Sequence, residues 1–227
     1  MNELKNITLH HDLYDMVPIN TTEADVLVAL TGLEWLNDQV KDLERSVGCI
    51  LSKQESAVAG YASFSVGVFE PIIQISMTFL DRIILAYGAF GARFFVRRMF
   101  VHELTHIKQM QRGDLVRESD SVLLWKGKPI KEVADIKGNL KSSLEEYFSS
   151  PHEIEAYNAE YDYVESSGSG MTREKFYYDL RYEAELARKG DPSDRDVERI
   201  IAYNRKIGEK LFSDDPFLKE FDAALKA

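Results

Sequence analysis

Cysteine is almost missing from this 227-residue chain. A single residue, Cys49, excludes an internal disulfide framework and fits a reducing compartment. Basic charge is short as well. Lys and Arg number 28 against 38 Asp and Glu, a formal net charge of −10, and such a surface repels phosphate backbones. Nucleic acid is therefore not expected as a partner. Uninterrupted apolar runs are absent: the richest region, Ile72 to Val101, is broken by Asp81, Arg82, Arg93, Arg97 and Arg98. No membrane span or membrane partner is expected. The opening MNELKNITLHHDLYDM has neither a basic start nor an apolar core, so no signal peptide and a cytoplasmic location are expected. No internal repeat is visible. What is present, 44% hydrophobic and 11% aromatic residues, describes a globular chain able to bury an ordinary core.

Residues 1–20 read as irregular, with Thr21 and Thr22 as possible caps for a first helical segment. Gly32 to Ser46 carries Leu33, Leu36, Val40 and Leu43 at helical spacing. Tyr61 to Glu70 and Ile72 to Leu80 alternate as strands do, and the second would place Ile73, Ile75, Met77 and Phe79 on one face. Two glycines, Gly88 and Gly91, predict a short helix and a turn over 81–91. Arg93 to Arg112 is the strongest helix, with Gly113 where a C-terminal cap belongs. SVLLWKGKPI reads as a hairpin with a Lys-Gly turn, and Lys137 to Ser150 as mainly loop. A helix should begin at Pro151, and SSGSG over Ser166 to Gly170 should break the chain. Helices are expected over Thr172 to Lys189, Ser193 to Phe212 and from Pro216 onward.

The strongest helix contains His102-Glu103-Leu104-Thr105-His106, an HExxH motif. Residues four apart lie one turn apart on one helical face. Two imidazoles so placed can share one zinc ion at about 2.0–2.1 Å. Glu103 is rotated about 100° from His102. That makes it a poor third ligand and a suitable general base beside a water held by the metal. Phe95, Met99, His102 and His106 form one stripe, and Val96, Phe100, Leu104 and Ile107 a neighbouring apolar one.

A catalytic zinc site needs three protein ligands and an open position. No third histidine follows His106 at short spacing, and His10 and His11 read as exposed rather than coordinating. A carboxylate on a second helix, as in His₂Glu sites, is the better expectation, and it points to SSPHEIEAYNAE. HELTH followed about fifty residues later by a Pro-led E-x-x-A resembles the gluzincin-type zinc metallopeptidases. The stretch from HELTHIKQ through LLWKGK to YFSSPHEIEAY looks most like small metallopeptidases of phage and bacterial genomes, over roughly residues 72–162. The resemblance implies that Glu153, which leads E-x-x-A, is the third ligand. Glu155 is the competing acid, and either could instead be an ordinary charge at a helix N-terminus. The resemblance fails at one place: where the family often has an Asp or Asn that buttresses a ligand histidine, this chain has Tyr157. A carboxylate orienting a zinc-bound imidazole must then come from elsewhere.

Tyr147, Tyr157, Tyr161 and Tyr163 cluster near the third-ligand position. One of them, Tyr157 first, could donate to an oxyanion, and each could equally be aromatic packing. The strand at Ile72–Leu80 could bind an extended substrate along its edge or be a core strand. The WKGK hairpin could roof the cleft or only connect. Together these readings predict an α+β, zincin-like domain, a small mostly antiparallel sheet packed on the active helix. It would span residues 1–165 with its core at 61–165, and 166–227 would form a helical extension packed on it. The expected activity is zinc-dependent (Zn²⁺) hydrolysis of a peptide or protein substrate by His102, His106, Glu153 and Glu103. A cytoplasmic chain would act in the host cytoplasm if phage-encoded. A catalytically silent binding or virion structural protein and a hydrolase of cell-wall peptides are the alternatives.

Overall fold

The computed structural model describes residues 7–11, 28–45, 47–52, 60–63, 72–119, 122–130, 148–180 and 194–226. The fold is α+β, and its organising element is one long helical run. Strand β4 (Ile72–Ser76) passes without a loop into α2 (Met77–Gln111). Four strands lie in the order β1 (Ile7–His11), β2 (Val47–Ser52), β4 and β3 (Gly60–Ser63). Strand β2 pairs parallel with both β1 and β4, and β3 pairs antiparallel with β4. The expected antiparallel character therefore fails for this sheet. It holds for the three-stranded sheet of β5 (Leu115–Ser119), β6 (Val122–Trp125) and β7 (Lys128–Ile130).

Several local expectations are corrected. Ile7–His11 is a strand rather than irregular chain. The strand expected to run to Leu80 ends at Ser76, paired with Ser52 of β2, and from Met77 the backbone is helical. Strand β4 also lies inside the sheet, between β2 and β3, so it offers no edge. The turn expected at 81–91 is a bend at Gly88, whose φ of 68° and ψ of 172° interrupt α2. The helix expected from Gly32 starts at α1 (Leu33–Val40), after Gly32 at φ 79°. Other features match. Gly113 (φ 73°) closes α2: its N–H donates to Met110 O and that of Asp114 to Gln109 O, the paired bonds of a Schellman cap. Lys126 and Gly127 both have positive φ, as a two-residue hairpin turn requires. Pro151 opens α3 (Pro151–Ser166). The strand expected over 64–70, the loop over 137–147, the caps at Thr21 and Thr22, and the helix over 181–189 lie outside the described residues.

Helix α2 lies between two cores. One of its faces, with Leu80, Val96, Phe100, Leu104 and Ile107, packs on Val47, Cys49, Ile73 and Ile75 of the larger sheet and on Leu36 and Val40 of α1. Ala89 and Phe94 face a second cluster built from α3, α4 (residues 173–180), α5 (Asp194–Phe212) and α6 (Pro216–Lys226). The crossing of α2 and α5 is close: a Cβ on Gly208 would stand 2.2 Å from Phe90 O. Arg93 fastens the same region. It donates to Ala29 O at 2.8 Å and to Asp215 Oδ2 at 2.5 Å. Among the described residues no helix is long and apolar enough to cross a membrane.

Candidate metal centre

The C-terminal half of α2 presents His102 and His106 to the first turns of α3, and both imidazoles are buried. The helical period continues along this face, with Arg98 one turn before His102 and Gln109 three residues beyond His106. On α3 the facing positions are Glu153, Tyr157 and Glu160, at i, i+4 and i+7. Ala156, fully buried, leaves no bulk between them. His102 Nε2 lies 3.2 Å from His106 Nε2 and 3.3 Å from Glu153 Oε2, and His106 Nε2 lies 3.5 Å from Glu153 Oε1. A tetrahedral ion bound at about 2.0–2.1 Å sets its donors roughly 3.3–3.4 Å apart. The spacing of these three side chains thus fits a single ion, and they form a buried group able to hold one. Glu155 is not part of it; its Oε1 takes a hydrogen bond of 2.6 Å from Arg112 on the exposed flank of α3.

Two atoms sharpen the fit. Glu153 Oε2 and His102 Nδ1 are buried without an aligned hydrogen bond, although each has an opposite charge within reach. A buried carboxylate oxygen left unpaired is costly unless something satisfies it. Burial alone would push the Glu153 pKa up. Contacts with His102, His106 and His152 outweigh it and hold the carboxyl well below its usual range. Burial likewise opposes charge on His102, but Glu153, Glu160 and the nearby Glu103 raise its pKa well above the ordinary imidazole value. The carboxylates around His102 thus favour positive charge at this place.

The residues behind the donors set their orientation. Gln109 is fully buried, and its Nε2 donates to His152 O at 2.9 Å. Its Oε1 must then face His106 Nδ1, 2.9 Å away, so that nitrogen carries the proton and the lone pair of Nε2 points to the site. Behind His102 stands Glu160, whose Oε2 is 3.5 Å from Nδ1. Arg98 donates to Glu160 Oε1 from Nε at 2.9 Å, with a terminal nitrogen at the same distance. Burial raises the Glu160 pKa, but Arg98 and then His102 lower it below the ordinary carboxylate value. Glu160 is thus the carboxylate nearest His102 Nδ1, two helical turns beyond Glu153. Sequence reasoning missed both Glu160 and Gln109. Their signal was periodicity: each continues a helical face that already carries a donor.

The remaining candidates separate cleanly. Glu103 is buried beside His102, and its charge acts on that imidazole. Tyr157 lays its ring 4.5 Å from that of His102 and 5.4 Å from Phe148. Tyr161 is buried and its hydroxyl donates to Glu165 Oε1 and Met171 O at 3.3 Å. Tyr163 stacks on Phe94 and meets Trp35 edge-on. Both therefore serve packing, whereas Tyr157 alone of the described three lies against His102. Tyr147 lies outside the described residues, as do the side chains of His10 and His11. Cys49 takes no part: burial in the sheet core pushes its thiol up to about 12, so it holds its proton. No family model, curated protein or solved structure matches this chain.

Proposed function

We propose that the protein is a metal-dependent hydrolase, and more narrowly a zinc metallopeptidase of zincin-like architecture. The observation that carries this reading is the buried His102, His106 and Glu153 triad with Glu103 one residue from its first member. Two imidazoles and one carboxylate suit zinc, and they also suit non-haem iron. Glu103 favours the hydrolytic choice, because a buried carboxylate one residue after the first histidine stands where a general base beside a metal-held water belongs. Bound there, zinc would supply Lewis acidity toward a carbonyl and an attacking water. Glu103 takes the proton of that water and passes it to the leaving amine. Tyr157, against His102, is the candidate donor to the oxyanion. An extended peptide would pair with β3 rather than β4, since among the described residues β3 is bonded on one side only. Trp125 of the hairpin, 6.3 Å from the ring of His152, would form part of the wall of the same cleft.

The test is hydrolysis of casein and of a peptide library by zinc-loaded protein. Wild type should cleave, and Glu103→Gln should retain its zinc while activity falls by about 10²–10⁴-fold. Zinc uptake with no cleavage of either substrate would overturn the peptidase reading in favour of a binding protein. Cleavage confined to cell-wall peptides would move the substrate class.

A further inference from the structure

His152, the residue before Glu153, has no part in the scheme above, yet it is as buried as Glu153 and more so than His102 and His106. Its Nδ1 lies 2.9 Å from Ser150 Oγ and its Nε2 lies 3.3 Å from Glu153 Oε1. An ionised carboxylate can only accept, so the proton sits on Nε2, and Ser150 Oγ–H donates to Nδ1. The ring is held between His106, 5.7 Å away, and Trp125. Its backbone carbonyl is tied to Gln109, so ring and main chain are both fixed.

The carboxylate it touches straddles the two ligand imidazoles, with Oε2 toward His102 and Oε1 toward His106. Nothing in that placement alone stops both oxygens from reaching one ion. A carboxylate bound through both would fill the position that a catalytic site must keep open. His152 Nε2 stands against Oε1 alone, at 3.3 Å, while Oε2 is fully buried and faces only His102. We propose that His152 is a positioning residue: its Nε2–H holds Oε1, makes Oε2 the metal-binding atom, and so keeps Glu153 a one-oxygen ligand. The Ser150–His152–Glu153 chain sets the coordination number of the site, and Trp125 ties that setting to the β6–β7 hairpin. This inference rests on the metal reading above.

Two measurements test it. In the metal-free wild type, long-range proton–nitrogen correlation spectra should show His152 protonated on Nε2 and bare on Nδ1; the opposite tautomer overturns the proposal whether or not metal binds. Zinc competition titrations and X-ray absorption at the zinc edge then compare wild type, His152→Leu and His152→Gln. Leucine removes the donor and should weaken zinc binding about 10–100-fold, as loss of an outer hydrogen-bond partner does, and add a second oxygen from Glu153 to the coordination shell. Glutamine, whose amide can replace Nε2–H, should restore both. Equal impairment by Leu and Gln would mean that the ring only packs, and affinity within threefold of wild type with an unchanged spectrum for Leu would mean that it does nothing for the ligand. Either result overturns the proposal while leaving the metal reading intact. A wild type that takes up no metal overturns both.

Discussion

Two buried arginines on α2, five residues apart, serve different ends. Arg93 is closed off: its Nε is spent on Ala29 O and a terminal nitrogen on Asp215, at the foot of the α5–α6 connection. Arg98 is one link in a longer line. It holds Glu160, Glu160 faces His102, and His102 faces a carboxylate oxygen that has no aligned partner. The first arrangement completes its hydrogen bonds within the fold and fastens helices together. The second ends on a buried oxygen left without an aligned hydrogen bond, in a group able to hold a metal ion. The lesson is that buried charge by itself does not separate structure from function; the unfinished atoms do.

That contrast can be broken at either end. The largest effect is expected at Glu153→Gln. Removing one of three donors should cost roughly a third of the binding energy of a zinc site, on the order of 3–5 kcal/mol, measured as a loss of about 10²–10⁴-fold in competition with a chelator. Glu160→Gln comes next. It leaves the donors in place but frees His102 Nδ1, and zinc affinity should fall about 10–100-fold.

Asp215→Asn tests the other arginine. Leaving a buried guanidinium short of its partner should cost about 1–3 kcal/mol of stability, read by denaturant unfolding, with zinc affinity unchanged. It should also flatten the acid limb. Burial raises the Asp215 pKa, but Arg93 and the Leu218 N–H outweigh it and depress the folded value. The group's contribution is therefore complete above its unfolded value of about 3.9 and is lost as pH falls below that toward the folded value. Wild type should lose stability in that window, and the variant should lose less. The smallest effect belongs to Glu155→Gln, which breaks a half-exposed pair with Arg112. About 0–1 kcal/mol of stability and no change in zinc content are expected. A loss of zinc there would move the third ligand and undo the contrast.

The helix and the histidine pair could be read from the chain because short-range rules govern them, whereas Glu153 was expected from the resemblance that E-x-x-A carries. HExxH spans one turn, and E-x-x-A lies at the start of a Pro-led helix. Glu160 could not be read the same way. Helix α3 also carries Glu155, Asp162 and Glu165, and an acid among acids reads as a solvated face until α2 packs against it and Arg98 arrives. The larger sheet was illegible for a related reason. Five residues of β1 are too few to show a period, and parallel pairing is a contact between distant segments that no local pattern announces. IIQISMTFL alternates through Leu80 as a strand would, but from Met77 the same residues belong to the helix that packs on the sheet, and that packing is a contact between distant segments.

The central claim is that α2 and α3 together hold one metal ion. A crystal grown from zinc-supplemented protein, with diffraction data on both sides of the zinc absorption edge, tests it most directly. One anomalous peak is expected about 2.0–2.2 Å from His102 Nε2, His106 Nε2 and Glu153 Oε2. No peak between these side chains, or a peak held by Glu155 in place of Glu153, would contradict it.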